Sequence, residues 1–431
     1  MRSPALAAAE IMAKRWFSGI VDRARHGEMA DWLVVAVAIS LPWSTSAASI
    51  LIVLWLIVVF PTLSIESVRR EVMTAAGGLP ALLWVLAVIG MLLAQVSWSE
   101  RLLGLRGFNK LLLIPLLLAY FRCSQRAKWG VLAFCVSAAI LLVLSFGVMS
   151  SPGGLWGREK ADAGVPVKDY LSQSEIFTLC AVGLLRQAIE LWRMRRVKSA
   201  LVLIFLAMAF FVNVIYVATA RTTLIVILAL LLLLGFRQFS WKRILVGGIV
   251  GSLIASLVCA SSPYVRGRLA HIIHEAHDYR AGNVVTSVGL RLEYWHKSIE
   301  FIAAAPLIGH GTGTIETLFR RSATDDAGSP SLITGNPHNQ ILAVAIQLGL
   351  IGTIALVAMW IAHLALFREN TLISCFGLIV VAQNIVSSLF NSHLFDFTQG
   401  WIYVFGVGML GGAVLGGKAI TVAGKDNYQP A

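Results

Sequence analysis

Charged residues are scarce in this sequence. Asp, Glu, Lys and Arg make up only 13% of its 431 residues, whereas 58% of the residues are hydrophobic. A soluble globular domain usually carries about 25% charged residues. The composition therefore excludes an ordinary soluble domain, and it predicts an all-α polytopic membrane protein.

Cysteine is also scarce, and the five cysteines form no recognisable pattern. Each lies in or beside a long apolar stretch: Cys123, Cys135, Cys180, Cys259 and Cys375. Their spacing offers neither a disulfide framework nor the ligand spacing of a metal site. We interpret them as small residues of the core.

Long apolar runs, by contrast, recur along the whole chain. About twelve segments come near the roughly 20 residues that cross a bilayer. They cover 31–43, 47–64, 79–97, 108–121, 129–150, 173–191, 199–219, 222–236, 244–262, 338–367, 371–391 and 395–416. No cleavable signal sequence is evident before the first of them.

Basic residues indicate the orientation of these spans, because Lys and Arg in short loops mark the cytoplasmic side. They precede the first span and then recur in alternate loops, for example at Arg69 and Arg70 and again at Arg122 and Arg126. Both termini are therefore expected in the cytoplasm. The formal net charge of +13 is explained by this topology and by anionic lipid headgroups, without nucleic acid as a partner.

The predicted topology divides the chain into five parts. They are a cytoplasmic segment 1–30, nine spans within 31–262, an external loop domain 263–337 with short helices, three spans within 338–416, and a cytoplasmic tail 417–431. A further external loop, 151–172, interrupts the first nine spans. Long loops often carry function, so we expect the functional site at these two external loops.

Two polar residues stand out against the apolar pattern. His338, in Thr334-Gly335-Asn336-Pro337-His338-Asn339-Gln340, lies at the mouth of an apolar helix, where an imidazole suits a proton acceptor. Alternatively, His338 and Asn339 only cap that helix. Arg221 lies between two apolar runs, where a guanidinium is costly unless it faces a polar cavity or an anion. Alternatively, Arg221 snorkels to the outer headgroups.

The second long loop carries polar residues in a distinctive order. Its elements are S-x-x-x-R-x-x-x-W from Ser287 through Arg291 to Trp295, P-x-x-G-x-G-x-G from Pro306 to Gly313, and His338-Asn339. In this order and topology the chain resembles the O-antigen ligase family, whose members include O-linked protein oligosaccharyltransferases and relatives of the O-antigen polymerase. The motifs cover about residues 285 to 355, and the topology extends the resemblance over nearly the whole chain.

The resemblance implies a GT-C-like glycosyltransferase of the bacterial inner membrane, with its active site facing the periplasm. Its donor would be a glycan on undecaprenyl diphosphate, and its acceptor a hydroxyl of lipid A core. His338 would act as general base in an inverting transfer that needs no cofactor. Arg221 and Arg291 would hold the diphosphate in place of a metal ion. For a metal, Asp325-Asp326 lies in a Gly/Ser-rich stretch without a third ligand.

Other polar residues are weaker candidates. Those considered for the diphosphate or an acceptor phosphate are Lys168, Arg158, Arg266 and Asn339, although charged loop residues are commonly just solvated. Those considered for the same cavity are Asn391, His393 and Asp396, at the external turn between the last two spans; turn chemistry explains them equally well. His271, His274 and His277 repeat at three-residue spacing without a cysteine or an obvious carboxylate constellation, so no metal is expected there.

Three other functions share much of this pattern. A transporter or lipid flippase would usually show internal repeats and mid-membrane charges, and the sequence shows no convincing repeat. An O-antigen polymerase would use the same donor, and the His-Asn element favours a ligase or a protein oligosaccharyltransferase. The protein-glycosylating relatives commonly carry longer external C-terminal regions. This chain ends about fifteen residues after its last predicted span, which favours a lipid acceptor.

Overall fold

The computed structural model describes residues 25–150, 164–218, 220–245, 248, 287–325 and 333–417, and these residues form helices and turns with no strand among them. The helices are α1 (25–40), α2 (Thr45–Val59), α3 (Ile65–Val72), α4 (Ala75–Leu93), α5 (Trp98–Asn109), α6 (Leu113–Phe121), α7 (Ala127–Ser150), α8 (Tyr170–Arg193), α9 (Val197–Tyr216), α10 (Arg221–Gln238), α11 (Ser287–Ala304), α12 (Ile315–Asp325), α13 (Gln340–Leu366), α14 (Leu372–Ser387) and α15 (Phe397–Phe405). α5 runs through a 3-10 turn at Lys110–Leu112 into α6, and α15 continues helically to residue 417.

Eight helical stretches in the described part of the chain are long and apolar enough to cross a membrane. They are Thr45–Thr62, Ala75–Leu93, Trp98–Phe121, Ala127–Ser150, Val197–Tyr216, Arg221–Gln238, Gln340–Leu366 and Phe397–Gly417. α14 is apolar but has only 16 residues. The prediction of an all-α polytopic membrane protein is confirmed.

Helices occupy eleven of the twelve segments that the sequence predicts as spans. The remaining one, 244–262, lies almost wholly outside the described residues. The fourth differs in extent: the sequence places it at 108–121, but its helical stretch begins at Trp98, after a capping box formed by Ser97 and Glu100. The charged residues of this first part lower its hydropathy, so the apolar pattern alone missed it.

α13 is broken near its middle, and another segment fills the break. Gly349 there has φ 60° and ψ −156°, a conformation that essentially only glycine adopts. Breaking a helix frees backbone groups, which must find partners inside a membrane protein. Four hydrogen bonds from the segment 306–311 supply them: His310 N–H to Ile346 O and Gly311 N–H to Gln347 O (both 2.9 Å), Leu350 N–H to Pro306 O (2.8 Å) and Ile351 N–H to Leu307 O (3.3 Å).

The glycines of the P-x-x-G-x-G-x-G element make this junction possible. Gly309, Gly311 and Gly313 all have positive φ, at 70°, 95° and 93°. A Cβ on Gly309 would lie 2.5 Å from the carbonyl carbon of Gln347, and one on Gly313 would lie 2.3 Å from the carbonyl oxygen of Glu100. The element is therefore a close backbone junction that fixes α13, the helix whose N-terminal end follows His338.

Candidate active site

His338 is held in an uncommon backbone conformation. Its φ is 54°, in the left-handed region where a non-glycine residue is strained and is often found at functional sites. The side chain of Asn336 fixes this conformation, because its Oδ1 accepts hydrogen bonds from the His338 N–H (2.8 Å) and from Ser392 Oγ (2.8 Å). The segment before α13 therefore aims the imidazole by side-chain contacts to the turn that follows α14.

The hydrogen bonds around Asn391 determine which nitrogen of His338 carries the proton. Asn391 Nδ2 donates to Asp396 Oδ2 (3.1 Å), so its Oδ1 faces the other way and accepts from Asn336 Nδ2 (2.7 Å). The same Oδ1 lies 3.0 Å from His338 Nδ1. An amide oxygen only accepts, so Nδ1 must be the donor. In the neutral ring the lone pair is then on Nε2.

α11 covers the other side of the His338 ring. The ring of Tyr294 stacks on the imidazole, with 6.0 Å between centroids and 21° between planes. Arg291, one turn earlier on α11, is close enough for its charge to act on the imidazole. Burial, and then the charge of Arg291, lower the pKa of His338, although Asn391 and Asp396 oppose the shift. His338 is therefore neutral at physiological pH.

A second histidine, His393, lies on the Asp396 side of Asn391 and is 2% exposed. Its Nδ1 lies 2.9 Å from Asp396 Oδ2, and its Nε2 lies 3.0 Å from Oε1 of the buried Glu175 on α8. Burial alone would lower the pKa of His393, but the two carboxylates outweigh it and raise the pKa to about 10. His393 is therefore an imidazolium, and it anchors the carboxylate that orients Asn391.

A polar cavity of about 440 Å³ adjoins this network on the side of the turn. Asn391, His393 and Asp396 line it together with Lys168 and Thr398. The ammonium of Lys168 donates to the Leu41 carbonyl and to Thr398 Oγ1 (2.9 Å). Burial lowers the pKa of Lys168 to about 8, against the nearby charge of Asp169. The structure thus places Lys168 beside the turn that contacts His338.

The N-terminal ends of several helices meet at this site. Glu175 lies near the start of α8, the His338-Asn339 pair precedes α13, and Asp396 is the N-cap of α15. Arg221 is the first residue of α10, and Thr223 of that helix hydrogen-bonds Ser174 at 3.0 Å. α10 therefore begins beside the part of α8 that holds His393.

Of the remaining candidates, Asn339 caps α13, and the others lie outside the described residues. The amide of Asn339 is used in capping: its Oδ1 accepts from the N–H groups of Ile341 (2.9 Å) and Leu342 (3.2 Å), and its Nδ2 donates to the Leu389 carbonyl (3.1 Å). The candidates outside the described residues are Arg158, Arg266, His271, His274 and His277. Among the described residues, no group of three or more His, Cys, Asp or Glu side chains is arranged to hold a metal ion.

Sequence reasoning missed two contacts of this site. Tyr294 belongs to the S-x-x-x-R-x-x-x-W element, one position before its Trp295, but nothing in the pattern shows that it stacks on His338. Glu175 lies near the start of the predicted span 173–191 and is 4% exposed. A carboxylate in such a stretch is costly and needs a partner, and that cost was the available signal.

Part of this chain resembles a known protein family. A family model described as O-antigen ligase matches residues 206–357, a region that includes Arg221, Arg291 and His338. An uncharacterized protein of Haemophilus influenzae is 31% identical over 86 residues, which is 20% of this chain and 22% of that protein. The family match supports a transferase of the O-antigen ligase or polymerase type. Over residues 206–357, the chain is similar to the O-antigen ligase family.

Proposed function

We propose that the protein transfers a glycan from undecaprenyl diphosphate to a hydroxyl of lipid A core, on the periplasmic face of the bacterial inner membrane. The orientation of the His338 ring carries this proposal. Its Nδ1–H is committed to Asn391, and no described residue hydrogen-bonds to Nε2. A neutral imidazole with a free lone pair is suited to general-base catalysis.

In the proposed reaction, Nε2 of His338 takes the proton of the acceptor hydroxyl. The hydroxyl oxygen forms a bond to the anomeric carbon of the donor glycan. The bond from that carbon to the diphosphate oxygen breaks, and the diphosphate leaves with the electron pair. Attack from the face opposite the leaving group inverts the anomeric centre.

The leaving diphosphate gathers negative charge, which must be stabilised as the bond breaks. Arg291, whose charge reaches His338, and Arg221 at the start of α10 are the proposed partners. A guanidinium binds phosphate oxygens with two parallel hydrogen bonds. The helix N-termini at this end of the protein add the partial positive charge of the helix dipole.

The cavity of about 440 Å³ is the proposed place for sugar rings of a substrate. Its hydroxyl, amide and carboxylate side chains include Thr398, Gln399 and Asp169, which suit the donors and acceptors of a neutral sugar. Lys168 uses two of its ammonium N–H groups on Leu41 and Thr398. The third is a candidate contact to a substrate oxygen. Arg158, Arg266 and Asn339 are weaker candidates for the same role.

The decisive experiment compares surface lipopolysaccharide and undecaprenyl-linked glycan in a host that lacks this gene. The host is complemented with wild type, with His338→Ala, or with His296→Ala, a matched control at an exposed histidine of α11. We expect deletion to remove the lipopolysaccharide ladder and to leave long glycan on undecaprenyl diphosphate. Wild type and the control should restore the ladder, whereas His338→Ala should not.

Other outcomes would identify the alternatives. Core that carries a single repeat would assign polymerase activity. An intact ladder with unglycosylated periplasmic protein would assign a protein acceptor. Restoration of the ladder by His338→Ala at the wild-type level would remove His338 from the role of base.

A further inference from the structure

Lys110 is a buried lysine that the proposed transfer does not yet use. It lies between α5 and α6 within the apolar stretch Trp98–Phe121 and is only 6% exposed. A lysine inside a membrane span is costly unless it has a specific partner. That partner is the backbone of the turn that holds Asn391, His393 and Asp396.

The ammonium of Lys110 donates to two successive carbonyls of this turn, those of Phe395 (3.0 Å) and Asp396 (2.7 Å). Its side chain crosses Gly400, where a Cβ would lie 2.5 Å from Nζ and 3.0 Å from Cδ. The ring of Phe108 packs on Phe395 with 4.7 Å between centroids. The helical stretch Trp98–Phe121 therefore holds the turn by hydrogen bonds from Lys110 and by packing of Phe108.

Lys110 also balances the buried charges around His393. Glu175 and Asp396 carry two negative charges, and His393 supplies one positive charge. When Lys110 is protonated, the group contains two anions and two cations, so it is neutral. The other charged groups near it are Arg291 from α11, Lys168 in the adjoining cavity, and Arg106 one turn earlier on α5.

We propose that Lys110 is a positioning residue for His338. It holds the turn 391–396, so that Asn391 accepts from Nδ1 of His338, and it offsets the negative charge of Asp396 near the imidazole. This inference rests on the proposed role of His338 as the base. Lys110 acts through the turn and is not proposed to touch a substrate.

The test uses the full-length protein in lipid nanodiscs, with Lys110→Met, Lys110→Arg and the control Lys128→Met, which removes an exposed lysine at the start of α7. Transfer of lipid-linked glycan to purified lipid A core is measured between about pH 5 and 9, together with thermal unfolding. A positioned base is typically worth about 10²–10⁴ in rate, so Lys110→Met should lower kcat by at least about tenfold with little change in donor KM.

The pH profile separates positioning from simple support of the fold. Without the Lys110 charge, the negative charge of Asp396 favours the protonated form of His338, so the acid limb of kcat/KM should move to higher pH. Lys110→Arg should keep the wild-type limb, and so should Lys128→Met. A Lys110→Met protein with a lower unfolding temperature but with wild-type kcat and acid limb would overturn the proposal.

If Lys110→Met does not fold, the neutral pair Lys110→Met with Asp396→Asn is compared with Asp396→Asn alone. The kcat should again fall by at least about tenfold when Lys110 is absent, because the turn loses its two hydrogen bonds to the ammonium, and equal kcat values would overturn the proposal. His338→Ala is measured in parallel. If that variant is inactive while Lys110→Met behaves as wild type, only the positioning role fails. If His338→Ala is as active as wild type, the proposed role of His338 as base fails instead, and if wild type itself transfers no glycan to lipid A core, the proposed function fails.

Discussion

Asn391 joins the two histidines of the site, because its Oδ1 accepts from Nδ1 of His338 (3.0 Å) while its Nδ2 donates to the carboxylate of Asp396 (3.1 Å). The carboxylate is in turn bound to His393. This arrangement resembles the orienting carboxylate of a hydrolase triad in purpose, since one group fixes the tautomer of another. Here an amide does so, and the carboxylate fixes the amide.

Replacing Asn391 should show whether the orientation of the His338 ring matters separately from the charge of the residue at position 391. Asn391→Leu keeps the approximate size but removes the three hydrogen bonds of the Asn391 side chain, so His338 can rotate or change tautomer. We expect kcat to fall by at least about tenfold, since a well-placed base contributes about 10²–10⁴. Asn391→Asp still accepts a hydrogen bond from Nδ1 of His338, so its kcat should lie between those of wild type and Asn391→Leu. Steady-state kinetics with purified donor and acceptor measure both, and a normal kcat in Asn391→Leu would contradict the assigned tautomer.

Arg291 should affect both the pH profile and donor binding. Its charge is one cause of the lowered pKa of His338, after burial. A base with a lowered pKa stays active to lower pH. Arg291→Gln should therefore move the acid limb of kcat/KM to higher pH, toward the ordinary imidazole value of about 6.5, and should raise donor KM. Arg291→Lys should keep the limb and raise only KM. An unmoved limb in Arg291→Gln would show that burial alone sets this pKa.

The ion pairs of His393 should make folding stability depend on pH. Its pKa is raised to about 10 in the folded protein, whereas an unfolded histidine titrates near about 6.5. A raised pKa contributes stability that is complete below about 6.5 and is lost as pH rises through about 10. The unfolding temperature should fall across that window in wild type and should fall less in His393→Gln. Equal slopes in the two proteins would count against the imidazolium.

Gly349 should tolerate no side chain. A Cβ there would lie 2.4 Å from both the carbonyl carbon and the oxygen of Leu307, and its conformation costs other residues about 1–3 kcal/mol before any clash. Gly349→Ala should therefore lower the unfolding temperature. The matched control is Gly147→Ala on α7, where nothing lies within 4 Å of the added Cβ and alanine favours the helix. Equal unfolding temperatures for the two variants would refute the proposed need for glycine.

The local hydrophobic pattern was sufficient to predict most helices. Apolar length is a property of consecutive residues, and a bilayer admits such runs as helices, so the runs after residue 338 predict α13, α14 and α15. The hydrophobic pattern predicted the extent of a span less well where the span contains charged residues. The stretch Trp98–Phe121 includes Arg101 and Arg106 as well as Lys110, and hydropathy recovered only its later part.

The P-x-x-G-x-G-x-G element shows a different limit. Its residues help to identify the family, but their spacing does not say that the segment fills a break in α13. The backbone groups that it satisfies belong to residues about 40 positions away, between Ile346 and Ile351. A glycine pattern records that backbones approach closely, and only the packed structure tells which backbones they are.

The sequence by itself determined the membrane class, most of the helices, and the candidates His338, Arg221 and Arg291, because these follow from composition and from short ordered motifs. Tertiary structure decided how the site is built. It brought Glu175 to His393 across 218 positions of the chain, Lys110 to Asp396 across 286, and Asn391 to His338 across 53. Buried charges and amides must find partners wherever the fold provides them. Those partners are set by helix packing and not by neighbouring residues.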